Sequence, residues 1–183
     1  MSAPDFQPTL VGLAITIRPV ATTDWTELFA VGFDPKIWEV HPVRDRHTEA
    51  GFRKYFDGAI KSKMGFVFVD RATRKLIGSS RYYGYEPEIS EIEIGWTFLV
   101  RSHWGGATNR EVKRLMLDHA FTFVDTVTFW VGHENWRSQG AMTKIGGIRC
   151  DGLFTRELSG DHPYFIFEIT KRRYEAGGRA LLA

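Results

Sequence analysis

Two hydrophobic periods alternate along the chain, and their order sketches a fold. "LAITIRPV" alternates apolar and polar positions as an early strand does. "TTDWTELFAVGFDP" then places Trp25, Leu28 and Phe29 on one helical face, and Pro35 is expected to stop that helix. "HTEAGFRKYFDGAIKSK" gives a second helix with a stripe of Phe52, Tyr55, Phe56, Ala59 and Ile60. Strands "GFVFVD", "KLIGSSRYYGY" and "SEIEIGWTFLV" follow. Unbroken alternation in the last puts Ile92, Ile94, Trp96, Phe98 and Val100 on one face and Glu91, Glu93, Gly95, Thr97 and Leu99 on the other. The clearest helix comes next: Val112, Leu115, Met116, Ala120, Phe123 and Val124 recur at helical spacing, and Thr108 or Asn109 can cap it. "TVTFWVG" reads as a strand, "WRSQGAMTKIG" as a short helix ending at Gly146, and "HPYFIFEIT" as a final strand. The mixture is α/β or α+β, and only the last third has the alternation of a parallel unit.

Composition narrows the class. At 183 residues the chain is long enough for one domain with a real core. Residues 1–12 and 174–183 are expected to be loose ends. A formal net charge of +2 gives no argument for a nucleic-acid partner. Cys150 is the one cysteine, so an internal disulfide is excluded and a reducing compartment fits. No apolar run approaches the ~20 residues that span a bilayer, and "MSAPDFQPTL" lacks the build of a signal peptide. A cytoplasmic protein without membrane attachment is the expectation. No His, Cys and Asp set has metal-ligand spacing, so no metal is expected.

Candidate chemistry concentrates where "SEIEIGWTFLV" runs into "SHWGGATN" and a helix opens. Gly105, Gly106 and Ala107 allow a close backbone approach, and the first N–H groups of a helix lack partners of their own. With the positive end of the helix dipole they can hold a phosphate; a plain strand-to-helix loop is the other reading. A Walker loop is ruled out because no Lys-Ser/Thr pair follows the glycines, and a dinucleotide fingerprint because a third glycine is lacking.

Here the residues resemble a known family. "EIEIGWTFL", "HWGGATNREVKRLMLDHAF" and "NWRSQGAMTKIGGIRCDGLFTREL" are similar to the GNAT superfamily of acyl-CoA-dependent N-acetyltransferases. More narrowly they resemble the branch related to the RimJ and RimL enzymes, which acetylate ribosomal protein N-termini. The resemblance runs from about residue 13 to 170 and is strongest in 91–152. It implies a GNAT-like single domain with a central, mostly antiparallel twisted sheet of about seven strands, about four helices, and splayed strands 4 and 5. It implies acetyl-CoA as cosubstrate, an amine acceptor as second partner, and a homodimer by analogy. The family loop reads Q/R-x-x-G-x-G/A and cradles the pyrophosphate of CoA. Its G-x-A part falls on Gly105, Gly106 and Ala107, with Trp104, Thr108 and Asn109 completing the turn. The Q/R position falls on Ser102, a departure, with Arg101 adjacent.

Acetyl transfer to an amine needs a deprotonated nucleophile, a polarised thioester carbonyl and a stabilised leaving thiolate. The resemblance points to Glu93 as the base, with Glu91 as fallback; both could equally be plain strand charges. It assigns backbone pairing with the pantetheine arm to Phe98, Leu99 and Val100, and contact with the arm or loop to Asn135. Ser138 falls near the expected sulfur, although Asn-x-x-Ser is also an ordinary helix cap. Many relatives carry a tyrosine four residues further on, where this chain has Met142. His119 reads as a core residue, His133 as a candidate for the cleft, and Cys150 shows no sign of activation. Acceptor specificity is expected from the region of Trp38, His41 and Arg44 and from Tyr82, Tyr83 and Tyr85. Three functions stay open: an N-acetyltransferase of a protein or peptide N-terminal amine by direct attack in a ternary complex, the same chemistry on an antibiotic, polyamine or amino acid, or a non-catalytic acyl-CoA-binding module. Glu86, Glu88, Glu91 and Glu93 are the sequence's hint of a polycationic acceptor.

Overall fold

The computed structural model describes residues 3–156 and 162–183; the end of the "GLFTREL" segment, Glu157 and Leu158, lies outside them. The strands are β1 (Leu10–Val11), β2 (Ile15–Pro19), β3 (Gly65–Asp70), β4 (Leu76–Glu86), β5 (Glu91–Leu99), β6 (Thr126–Gly132), β7 (Ile148–Arg149) and β8 (Tyr164–Thr170). The helices are α1 (Trp25–Gly32), α2 (Pro35–Trp38), α3 (Glu49–Ser62), α4 (Ala107–Ala120), α5 (Trp136–Lys144) and α6 (Lys171–Glu175). One sheet runs in the order β1-β2-β3-β4-β5-β6-β8-β7. Its neighbours are antiparallel except for β5 and β6, the expected fourth and fifth strands.

Alternation explains how the sheet is covered on both faces. In β3, Phe66 and Phe68 enter one core with Ile15 and Ile17, against α4, α5 and α6. Val67, between them, enters a second core with Leu28, Trp38, Phe52 and Phe56 of α1, α2 and α3. A run that is apolar on both sides fits a strand buried on both faces. Thr48 caps α3 by accepting the Gly51 N–H at 3.1 Å. Pro35 does more than end a helix: it opens α2 from the first turn, where its missing N–H is harmless, with Asp34 as cap.

Two local expectations change. Alternation fails at Trp96, which sits in the left-handed region at φ 53°. Arg81 pairs with Gly95 and Ser79 with Phe98, so Trp96 and Thr97 together oppose Ser80 in a β-bulge. Past the bulge the faces swap: Leu99 joins the core of Ile92 and Ile94, and Phe98 joins the core of Trp38.

The ends, expected to be loose, are docked. Gln7 donates to the Gly65 carbonyl at 3.1 Å, and β1 pairs with β2. At the other end Arg179 reaches both Asp118 oxygens at 2.8 Å, and Leu182 is buried. Short apolar anchors spaced apart leave no periodic signal, which is why these segments read as loose. No helix among the described residues is long and apolar enough to cross a membrane.

Candidate active site

β5 and β6 pair only through Glu91–Glu93 and Thr126–Thr128, then part. The bulge holds β5 away: Ser80 Oγ donates to the Gly95 carbonyl at 3.0 Å, and Tyr55 Oη to the Trp96 carbonyl at 2.8 Å. The wedge that opens is a cleft of about 90 Å³ between the Ile94–Thr97 and Phe129–Gly132 segments, with Asn135, Ser138 and Met142 along one wall.

The glycine turn lies at the far end of β5, roughly 20 Å from Glu93 along an extended strand. Gly105 has φ 66°, a conformation that only glycine adopts without strain. A Cβ there would meet nothing within 4 Å, and one at Gly106 only the Trp104 carbonyl at 3.9 Å. Gly106 is the N-cap of α4 and has no side chain to satisfy the first turn, so the amides from Gly105 to Thr108 have no partner among the described residues. Bare amides, open space and a helix dipole suit a diphosphate. Ser102 turns to His103, and Arg101 turns away to Asp34, so neither serves the turn.

Of the three residues expected to pair with a pantetheine arm, one faces the gap. Val100 N–H donates to Ile77 of β4 at 2.9 Å, so by strand alternation Phe98 also faces β4 and Leu99 faces the gap. The Trp104 indole N–H already donates to the Leu99 carbonyl at 2.8 Å, leaving the Leu99 N–H. Trp96 and Thr97, at the bulge, also line the cleft.

Glu93 lies where the strands part and is 5% exposed. Arg156 Nη1 donates to its Oε2 at 2.7 Å, while Oε1 is buried without a partner among the described residues. Burial pushes its carboxyl up to about 7, against the pull of Arg156. Gly95 makes room for it, since a Cβ there would sit 2.5 Å from Oε1. Glu91 is half-buried, accepts from Thr128 Oγ1 at 3.3 Å and does not line the cleft. Glu86 and Glu88 are exposed, so the acidic cluster does not assemble.

Asn135 and Ser138 both line the cleft. Asn135 Oδ1 caps α5 by accepting the Ser138 N–H at 3.2 Å, which leaves its Nδ2 available. Met142 is buried against the cleft one turn beyond Ser138. Among the aromatics named for the acceptor, Trp38 and Tyr82 are core residues, and Tyr82 Oη donates to the Met116 carbonyl at 2.6 Å. Arg44 is exposed and pairs with Glu134; His41 lines the cleft; His133 is exposed. His119 is tied to the Asp5 carbonyl at 2.7 Å.

Three groups that line the cleft, Lys113, Arg46 and Arg156, and one packed beside it, Arg81, have no counterpart in the sequence expectations. Lys113 is 3% exposed and donates to Thr97 Oγ1 at 3.0 Å, and no described carboxylate pairs with it. Burial pulls its ammonium down to about 7. Its signal was present: Lys113, Met116, Leu117 and Ala120 form one buried stripe of α4. Lys113→Met is therefore expected to stabilise the fold. The lysine's depressed pKa removes stability as pH falls from the ordinary 10.5 toward 7. Thermal unfolding at pH 6 should show a gain of about 5 °C that shrinks toward pH 10; no gain at pH 6 would mean the ammonium is well compensated.

The other three are arginines. Arg46 and Arg81 are 8% and 7% exposed, and Arg156 is half-buried. Of the three, only Arg156 forms an ion pair among the described residues. Arg46 lies 5.4 Å from the Trp38 ring and 5.1 Å from the Tyr55 ring, and Arg81 lies 4.0 Å from the Trp96 ring. Desolvating a guanidinium costs several kcal/mol, whereas a desolvated cation–π contact returns about 2 kcal/mol. Aromatic packing alone leaves this corner uncompensated, and burial pulls Arg46 down to about 10.

Comparison with known proteins follows the same lines. No functionally curated sequence matches the chain. Among solved structures, a GCN5-related N-acetyltransferase from Brucella melitensis superposes with TM-score 0.83 at 20% identity, over 97% of this chain and 86% of that one. The Mycobacterium smegmatis RimJ in complex with CoA-disulfide gives 0.72 at 19%, over 96% and 93%. A spermidine N-acetyltransferase from Vibrio cholerae in complex with CoA and spermine gives 0.67 at 16%, over 88% and 98%. At these identities the likeness is one of fold. A family model described as an acetyltransferase (GNAT) domain matches residues 14–148, which is most of the chain. The chain belongs to the GNAT acetyltransferase family, whose acyl donor is acetyl-CoA.

Proposed function

We propose that the protein transfers an acetyl group from acetyl-CoA to a primary amine, a protein or peptide N-terminus as in the RimJ/RimL branch, by direct attack in a ternary complex. The observation that carries this reading is one stretch of chain that bears, in order, the buried carboxylate of Glu93, a strand edge left unpaired where β5 parts from β6, and the bare amides at the start of α4. In it, Gly105 to Thr108 hold the diphosphate and Asn135 Nδ2 donates to the pantetheine arm. A backbone N–H next to the bulge polarises the thioester carbonyl. Glu93 takes the proton of the acceptor ammonium, either directly or through one water, so that the nitrogen lone pair can attack. The N–C bond forms, the C–S bond breaks, and the second proton leaving the nitrogen passes by way of the Ser138 hydroxyl to the departing thiolate, which leaves as the free thiol. Cys150 takes no part: burial and nearby carboxylates push its thiol up, away from the reactive form.

The test is release of free thiol from acetyl-CoA across N-terminal peptides and small amines. Release with at least one amine, alongside thermal stabilisation by CoA, is expected. Stabilisation with no release from any acceptor would leave a binding module instead.

A further inference from the structure

The acceptor end of the cleft carries the wrong charge for a polyamine. Arg46 and Arg156 line it beside Trp96, and Arg81 lies against the other side of the same assembly, 4.0 Å from the Trp96 ring. Arg156 lies 4.7 Å from that ring. Among the described residues, the one carboxylate in an ion pair with any of these cations is Glu93, on Arg156, while Asp45 acts on Arg46 from a distance. His41, whose Nε2 lies 3.1 Å from Arg46 Nη1, is kept neutral by burial and by that guanidinium. The Arg81 and Arg156 Nε atoms are buried without a partner among the described residues. Buried donors of this kind are normally satisfied, and here Arg156 lines the cleft while Arg81 packs on its Trp96 wall.

We propose that this arginine corner binds an anionic group of the acceptor, so that the preferred substrate is a primary amine bearing a carboxylate close to the attacking nitrogen. The inference rests on the acetyl-transfer reading. A planar carboxylate matches the guanidinium fork, which can donate to both of its oxygens. Because Arg156 bonds Glu93 as well, an arriving carboxylate draws that guanidinium toward itself and frees the base beside the amine. Polyamines are disfavoured, since an added cation would meet the Arg46 and Arg156 guanidiniums of the cleft wall.

The experiment compares acceptors that differ in one charge. Glutamate and alanine as free acids are set against their α-carboxamides, peptides beginning with Asp or Glu against peptides beginning with Ala, and spermidine against all. An acid-over-amide ratio in kcat/KM of at least about tenfold is expected for one pair. The free amino acids or the peptides then identify whether the carboxylate is the α-group or a side chain. Arg46→Met should bring that ratio toward one, mainly through KM, and should not lower the melting temperature, because it removes an unpaired buried charge. A melting temperature that drops in Arg46→Met with the ratio unchanged would make the arginine structural and overturn the proposal. Amides or spermidine used as well as the acids would overturn it too, leaving acetyl transfer standing. If no acceptor turns over, calorimetric binding of N-acetylglutamate and N-acetylalanine in the presence of CoA decides: binding of the acids but not their amides, lost in Arg81→Gln, supports the site, and absence of binding ends it.

Discussion

Gly105→Asp is expected to abolish CoA binding while leaving the protein folded. The position demands φ 66°, so any side chain adds strain of roughly 1 kcal/mol, a cost that weakens the fold without removing the site. The carboxylate does the damage to binding. At ~4 Å from a phosphate, with an effective dielectric near 20, each like-charge pair costs about 4 kcal/mol, and a diphosphate offers more than one. The helix dipole contributes only about 1 kcal/mol in the other direction. A loss of at least about a hundredfold in affinity follows, measured by calorimetry. Gly105→Ala is the control: it carries the strain but no charge, and a Cβ there meets no atom within 4 Å. It should retain CoA affinity within a few-fold. Equal losses in both variants would mean that backbone conformation, rather than an open anion cradle, is what glycine supplies.

Glu93→Gln should spare CoA binding and lower kcat by about a hundredfold or more, the usual scale for a general base. Its buried carboxyl titrates near 7, so the basic form grows as pH rises through neutrality. The wild-type rate should climb from pH 6 and level off above pH 8, and the variant should lose that inflection. The stability sign is separate. A carboxyl whose folded pKa is raised contributes stability that is complete below about 4.5 and is lost as pH rises through about 7. That slope should vanish in Glu93→Gln, whatever the absolute cost of leaving Arg156 without its partner. If kcat falls with the pH profile unshifted, Glu93 positions the substrate and another group accepts the proton.

How much of this was legible in the chain depends on how local the cause is. The stripes of α3 and α4 and the two-sided core of β3 follow from periodicity, because each residue's burial is set by its own strand or helix. The glycine turn was legible too, since a small-residue run between a strand and a helix has few uses. The bulge was not. Nothing in "EIGWTFL" announces that Trp96 leaves the extended region; Tyr55 from α3 and Ser80 from β4 hold the neighbouring carbonyls, and both act at long range. Reading strict alternation through it put Phe98 and Leu99 on the wrong faces and assigned the open edge too far along the strand. The arginine corner was also invisible. Arg46, Arg81 and Arg156 come from three distant segments that only the folded sheet brings together, and singly each reads as a surface charge. The acidic run Glu86 to Glu93 misled for the converse reason: Glu86 and Glu88 are exposed, and Glu93 alone is buried, bonded to Arg156 of the cleft wall.

The proposed acetyl transfer requires the bare amides at the start of α4 to grip the diphosphate of the acyl donor. Backbone amide chemical shifts of Gly105, Gly106, Ala107 and Thr108 during titration with CoA test it most directly, with pantetheine, which lacks the diphosphate, run in parallel. Saturable shifts are expected in all four with CoA and none with pantetheine. Amides that stay fixed while CoA demonstrably raises the melting temperature would contradict it.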